Sequence, residues 1–514
     1  MALKLKRKAN IKMVGAPIRG INAKDAVSDM QETDALQLIN YVPKNNSVVL
    51  RKGSERHASI TGVTAAVQTL MSYSYEATLK LLAACDGKIY DVTAGGAIAS
   101  SLGTGYTNDK WSYTQMSGHL VMVNGADTPL KYDGSVISTT TITGSGLTAS
   151  TLSFVKAHQS RLFFIEKDTL NAWYLATSAI AGAASKLDFS AYATKGGVLV
   201  AIETWTRDGG SGMDDHIAFL TSEGQVLIYA GTDPASASTW GLIGVFQLPQ
   251  PIGNRPMFAT GSDCNVLTKD GVLSFSKVLP TGGSEAQALA LTERIRDKFT
   301  SDYTNFQQNF GWEGSLVVAE GIVLVNVPTS STTAKQYVMN TQTTAWCEFN
   351  GWNAFCFAAH DGGTYFGGNN GMIVRCFVGA EDDTLATTQA FQDIVGTVQP
   401  AYTYLGTRGA QKELKAINPV FVADSTLPYS FSVGIDFTDY GNIAIPGTGS
   451  QTLTAWDEGA WDTTSWGGRL QTIKSWQTAH AVGFTFAPTF TTRTQGVEVK
   501  LQTVMYSSVV TSGI

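Results

Sequence analysis

The residues able to do chemistry in this chain are scattered. Six His (His57, His119, His158, His216, His360, His480) show no H-x-x-H or H-E-x-x-H spacing, so no pair is set to grip a metal. His119 and His216 each open an apolar run, where packing or a backbone hydrogen bond is their ordinary use. Five Cys (Cys85, Cys264, Cys347, Cys356, Cys376) are odd in number and nowhere form C-x-x-C. They read as buried free thiols, which suits folding in a reducing compartment. Asp214-Asp215 and Asp382-Asp383 are adjacent carboxylates. Neighbours on a strand point to opposite faces, poor geometry for a shared proton or metal, so both pairs read as solvated loop charges. The phosphate-cradling G-x-x-x-x-G-K-[ST], the dinucleotide G-x-G-x-x-G and the nucleophile elbow G-x-S-x-G are all missing. The expectation is a protein that is not an enzyme and uses neither cofactor nor metal.

What must position these residues is a series of short strands. The stretch from Gln336 to Gly379 is the clearest sample: runs such as Ala345–Phe349, Phe355–Ala358, Thr364–Gly367 and Met372–Phe377 are rich in aromatic and β-branched residues. Asn350-Gly351, Asp361-Gly362-Gly363 and Asn369-Asn370-Gly371 punctuate them with the φ > 0 chemistry of tight hairpins. The middle strand of the same unit recurs as Leu79–Cys85, His119–Asn124, Arg161–Glu166, His216–Thr221, Cys264–Thr268, Gly321–Val327 and Gly363–Gly367. Copies fall roughly 40 to 60 residues apart, the period of a propeller blade. The fold class expected is all-β: a β-propeller of six or seven blades with an additional C-terminal β-sandwich, against the alternative of paired sandwiches.

Three segments follow from that reading. Residues 1–60 form an N-terminal arm whose Val48–Lys52 would close the ring as a borrowed strand. Residues 61–395 form the propeller. One helix is inserted near 284–303, with Ser284 and Gln287 as a capping box and Leu291, Ile295, Phe299 and Tyr303 on one face. The Glu381-Asp382-Asp383 to Pro400 run reads as a linker, and 396–514 as the sandwich, with strands Ala416–Ala423, Tyr429–Phe437, Ala481–Phe490 and Gly496–Tyr506. Within it, Trp456, Trp461 and Trp466 recur every five residues, as core filling or interface anchors.

Composition narrows the function. Of 514 residues, 43% are hydrophobic and only 15% charged, with 52 Gly, which describes a turn-rich, well-buried protein with a weakly charged surface. A net charge of −6 argues against a protein that coats nucleic acid, although a local basic patch such as Lys4, Lys6, Arg7 and Lys8 is present. No apolar run approaches the ~18 residues of a membrane span. Nothing apolar follows the basic start as a secretion signal would require, so synthesis in a cytoplasm is expected and the Asn45-Asn46-Ser47 acceptor is without meaning.

Four groups of residues, in order, resemble the tail-nozzle (tail tubular, packaged-DNA-stabilising) proteins of short-tailed bacteriophages. They are Ala16-Pro17-Ile18-Arg19-Gly20-Ile21-Asn22 with Ala35, Leu38, Asn40, Pro43, Val49, Arg51 and Gly53; Trp240–Gly244 leading to Pro251-Ile252-Gly253 and Val266–Gly271; Met339-Asn340-Thr341 through Trp346 and Gly351-Trp352 to Tyr365-Phe366-Gly367; and the Trp456/Trp461/Trp466 series. The resemblance implies a structural virion protein of the tail, made in the host cytoplasm. It implies a ring of identical copies, usually a hexamer, docked below the portal and adaptor and touching other tail proteins. Double-stranded DNA would pass non-specifically through its channel, held after packaging and released on infection. The family carries no catalytic motif, so no active-site residue is transferred. Lys4, Lys6, Arg7, Lys8, Trp456, Trp461 and Trp466 are the subunit or DNA-end contacts this reading suggests. A duplex carries about one negative charge per 1.7 Å of axis, so an acidic or neutral channel wall would let it slide where a basic one would grip. Two alternatives stay open. One is a carbohydrate-binding or glycan-degrading propeller on a virion surface, drawing carboxylates from several blades, although the S-x-D-x-G-x-x-W box is missing. The other is an intracellular scaffold for protein partners.

Overall fold

The computed structural model describes residues 9–208, 213–281, 285–385, 390–425, 427–438 and 470–513. Strands dominate, and the chain divides into two compact units: Met1–Glu55 with Tyr337–Gly351 and Phe377–Ile514, and Arg56–Gln336 with Trp352–Cys376.

In the second unit, small antiparallel sheets follow one another along the chain. Four have four strands each, beginning at Thr69–Tyr75, Ser112–Met116, Leu152–His158 and Leu199–Asp208. A fifth has three, Met257–Thr260, Asp263–Thr268 and Gly271–Ser274. The sixth pairs Glu313–Val317 with Ile322–Pro328, and the seventh joins Cys356–His360, Gly363–Gly367 and Met372–Cys376. All seven middle strands expected from the sequence are present, and each sits between two partners or beside the inner strand.

The sheets run in a circuit. Inner strands of the second to seventh sheets touch in order, and that of the seventh touches that of the first. The first meets the second where the Thr69 hydroxyl donates to the Asp109 carbonyl at 2.6 Å and the Ser74 N–H donates to Gln115 Oε1 at 3.0 Å. The cores lie between neighbours, as they must when a small sheet cannot hide both faces alone. Met71, Tyr73, Leu82, Trp111, Leu120 and Tyr132 fill the first gap. Val121, Leu152, Phe164 and Trp173 fill the second, and Phe163, Phe189, Phe219 and Trp240 the third. This is the arrangement of a β-propeller.

Four features depart from the sequence reading. The strand that closes the circuit is Ser54–Ile60, not Val48–Lys52: Ile60 N–H donates to the Gly371 carbonyl at 2.9 Å. Val48–Leu50 instead pairs with Val499–Gly513, because its alternate residues are buried in the other unit. The single helix is three pieces, Ala286–Leu289, a 3-10 turn Glu293–Ile295 and Arg296–Phe306; between them Leu291 donates its N–H to the Val272 carbonyl and breaks the helical ladder. Ile295 and Phe299 are buried as expected, while Ser284 lies outside the described residues. The run after Glu381 is not a linker but strands, Asp382–Asp383, Phe391–Gln392 and Ile394–Pro400.

The first unit is built from both ends of the chain, so the divisions at 60 and 395 do not mark compact bodies. Asn10–Gly15, Val48–Leu50 and Ala410–Ala423 all pair antiparallel with Val499–Gly513. A second sheet orders Trp346–Phe349, Ala35–Ile39, Ile394–Pro400, Phe486–Thr494 and Tyr429–Ile435. The two face each other: Phe421 of the first packs on Tyr429 and Phe490 of the second, with centroids 5.3 and 6.1 Å apart. Tyr41 and Thr492 share a hydrogen bond of 2.9 Å between them. The expected strand Ala481–Phe490 is two, because the Asp436 carboxylate accepts the N–H groups of Phe484 and Thr485 and fixes a break there.

Candidate functional site

Polar chemistry in the propeller converges on the inner ends of its strands. Arg255 stands just before the fifth sheet, between a Gly253 turn and Pro256. Gly253 has φ 73°, and a Cβ there would lie 2.9 Å from the Trp312 Cβ, so both conformation and packing require glycine. Pro256 keeps Arg255 extended. Its Nη1 donates to Glu313 Oε2 at 2.8 Å on the sixth sheet, and its Nη2 donates to Thr69 Oγ1 at 2.7 Å and the Gln68 carbonyl at 3.1 Å on the first. One guanidinium thus spans sheets far apart in sequence.

Beside it lies Phe310. The Arg255 guanidinium is 5.7 Å and the Lys110 ammonium 4.8 Å from the Phe310 ring centroid, both within cation–π range. The loop carrying Phe310 is fixed: Trp312 Nε1 donates to the Phe306 carbonyl at 3.0 Å, and Asn326 Nδ2 donates to the Gly311 carbonyl at 2.8 Å. These groups border a cavity of about 570 Å³, within the span of small-molecule sites. Its far wall carries an ion pair between Lys156 and Glu203. Tyr113 also lines it; burial pushes its phenol up to about 12, and the nearby Glu313 carboxylate adds to the rise. Glu203 and Glu313 are each tied to a cation, which suits them to hold the wall together.

The first unit offers a different surface. On Asn10–Gly15, Lys12 and Val14 turn inward, while Ile11 and Met13 are 61% and 62% exposed. Met13 pairs with Met505, and Val482, 50% exposed, shares through Glu413 the row of Val509. Ile11, Met13 and the half-buried Met505 make a small apolar outward patch on this sheet, and Glu413 stands between Val509 and Val482.

The residues expected from sequence fare unequally. Lys4, Lys6, Arg7, Lys8, Trp456, Trp461 and Trp466 lie outside the described residues. The five Cys are buried and free, and burial pushes the Cys85 and Cys356 thiols up to about 12. His119 Nδ1 donates to the Ser117 carbonyl, 2.9 Å away, a backbone role. Among the described residues, no three His, Cys, Asp or Glu converge as a metal group would. The Asp382-Asp383 reading needs correcting: both are buried, because Asp382 receives a bidentate pair from Arg51 at 2.9 and 2.5 Å. Asp215 is half-buried and accepts from Thr206 Oγ1 at 2.7 Å; the Asp214 side chain lies outside the described residues.

Sequence reasoning missed Lys110, Lys156, Glu203, Arg255, Phe310 and Glu313. They stand on or just before the inner strands of five repeats, with only Phe310 and Glu313 sharing one, so no local motif joins them. The available signal was charge at inner-strand positions of a sparsely charged chain.

No protein-family model matches the chain, and no curated protein does. Among solved structures it is similar to the Myceliophteria thermophila Cps50 (Swd1) beta-propeller domain, at 12% identity and TM-score 0.42 over 63% of this chain and 99% of that one. It is also similar to YCF48 bound to D1 peptide, at 11% identity and TM-score 0.36 over 66% of this chain and 98% of that one. Saccharomyces cerevisiae Sqt1 is a third (10%, TM-score 0.36, 68% and 96%). Likenesses this distant carry no argument about what the chain binds, and the propeller assignment rests on the circuit of sheets described above.

Proposed function

We propose that the chain is a structural subunit of a ring, the tail nozzle of a short-tailed bacteriophage. In this reading the ring continues the DNA channel below the portal and adaptor, retains the packaged genome and lets it out on infection. The propeller has seven blades, and the two facing sheets of the first unit are a β-sandwich. The observation that supports the reading is the apolar outward patch of Ile11, Met13 and Met505, since an exposed apolar patch marks an interaction site. Asn10–Gly15 and Val499–Gly513, far apart in sequence, both contribute to it. A low share of charged residues, 15%, fits a surface largely committed to identical neighbours. Light scattering on the purified chain, followed by electron microscopy of the largest species, tests this. A ring of identical copies with a central passage is expected; a monomer that neither self-associates nor binds portal and adaptor rings would overturn it.

A further inference from the structure

We infer that the central cavity of the propeller is a binding site for a small organic monoanion with a hydroxyl-rich body, such as a sugar acid. This goes beyond the ring-subunit reading and stands without it.

The fold has already used most of the polar groups around the cavity. Arg255 and Glu313 satisfy each other, and so do Lys156 and Glu203. The Asn108 and Asn124 side chains are spent on local turns and on each other's backbone. Against that background, Lys110 and Lys167 line the cavity with no carboxylate partner among the described residues, and the Asn254 amide makes no hydrogen bond there. Lys110 does not lie loose, since its ammonium sits over the Phe310 ring at 4.8 Å. Lys167 lays its stem over Gly125, where an added Cβ would come within 3.4 Å of its Cδ. Asp168, on the turn beside Lys167 with φ 59°, is the one lining carboxylate outside an ion pair among the described residues. Two free ammonium groups against one free carboxylate leave a single positive charge, the count for a monoanion.

Size and lining set the rest of the chemistry. A cavity of about 570 Å³ exceeds what an inorganic ion needs and fits a small organic molecule. Asn254 lines it with an unspent amide, and Ser112 and Ser153, whose hydroxyls already donate to the Val155 and Ile165 carbonyls, each keep a lone pair, so the polar lining suits hydroxyls better than an alkyl chain. The wall is set before any ligand arrives. Phe310 is held by the Trp312 and Asn326 bonds, and the Gly253–Arg255 turn packs directly on Trp312. Such pre-organisation lowers the cost of binding.

Calorimetric titration of the full chain with glucuronate and with glucose tests the proposal. Glucuronate should bind saturably with a Kd on the order of 1 mM, given its size, and glucose about tenfold more weakly or worse. Lys110→Met, at an exposed position, should fold as the parent does by circular dichroism and weaken glucuronate about tenfold, the worth of a charge-assisted bond. Lys186→Met, on an outer strand of the third sheet, should leave it unchanged. No saturable glucuronate binding, equal affinity for glucose, or an unchanged Kd in Lys110→Met would each overturn the inference.

Discussion

Arg51 shows how much one buried charge can organise. Besides its two bonds to Asp382, its Nε donates to Asn40 Oδ1 at 3.0 Å and its Nη2 to the Asn350 carbonyl at 3.1 Å, while Ser54 Oγ donates to Asp382 Oδ1 at 2.9 Å. Residues from all three chain segments of the first unit meet there. Removing one partner leaves the other charge buried, which costs about 3–5 kcal/mol. Arg51→Ala is therefore expected to lower the urea midpoint strongly. Arg51→Lys should recover little of it, since an ammonium cannot reproduce the forked pair. His158 makes a second prediction. It is buried against Phe163, with Nδ1 3.2 Å from Thr204 Oγ1, and burial lowers its imidazole to about 4. A folded-state value below the ordinary 6.5 means the unfolded chain takes the proton first. Its contribution is thus whole above about pH 6.5 and is lost as pH falls toward about 4. Unfolding free energies measured from pH 7 to pH 4 should drop by up to about 3 kcal/mol, and His158→Phe should flatten that slope.

At the scale of elements, turns and the closing strand carry the design. Gly224 turns the fourth sheet at φ 81°, and a Cβ there would lie 2.2 Å from the Leu248 carbonyl oxygen. Neither dihedral nor backbone can yield cheaply, so Gly224→Ala should cost about 2 kcal/mol or more, read as a shifted denaturant midpoint. Ser54–Ile60 closes the circuit with Ala58 and Ile60 buried in the cluster that also holds Leu70, Leu81 and Ile373. Ile60→Asp places an unpaired charge in that seam. Hydrogen exchange should then quicken first in the seventh and first sheets, while the third and fourth, with a core of their own, keep their protection.

For the whole molecule, the prediction concerns assembly. Ile11 and Met13 face outward on a strand whose inward side is anchored by Val14, so charge can be placed there without touching the core. Ile11→Glu with Met13→Glu should leave the unfolding midpoint unchanged. The same pair should raise the concentration needed for self-association by about tenfold or more, measured by light scattering. Unchanged association would move the interface elsewhere and remove the main support for the ring reading.

The seven middle strands were legible along the chain because their apolar runs and Asp/Glu-Gly turns are local signals, set by neighbours in sequence. Asp270-Gly271 and Asp361-Gly362, for instance, lead to strands that stand where the turn chemistry places them. The buried free Cys were legible for the same reason: each sits inside such a run. What only tertiary structure decided is which distant segments meet. Val48–Leu50 reads as a short apolar strand and the polar Ser54–Ile60 does not, and nothing local says that the first pairs with Val499–Gly513 while the second closes the propeller. Asp382 looked solvated because its partner Arg51 is 331 positions away. The cavity is the extreme case, with Lys110, Arg255 and Phe310 contributed singly by separate repeats. Local pattern fixes the strands through short-range sterics and turn dihedrals, whereas charge pairing and the cavity arise only when the circuit of sheets brings their inner ends to one axis.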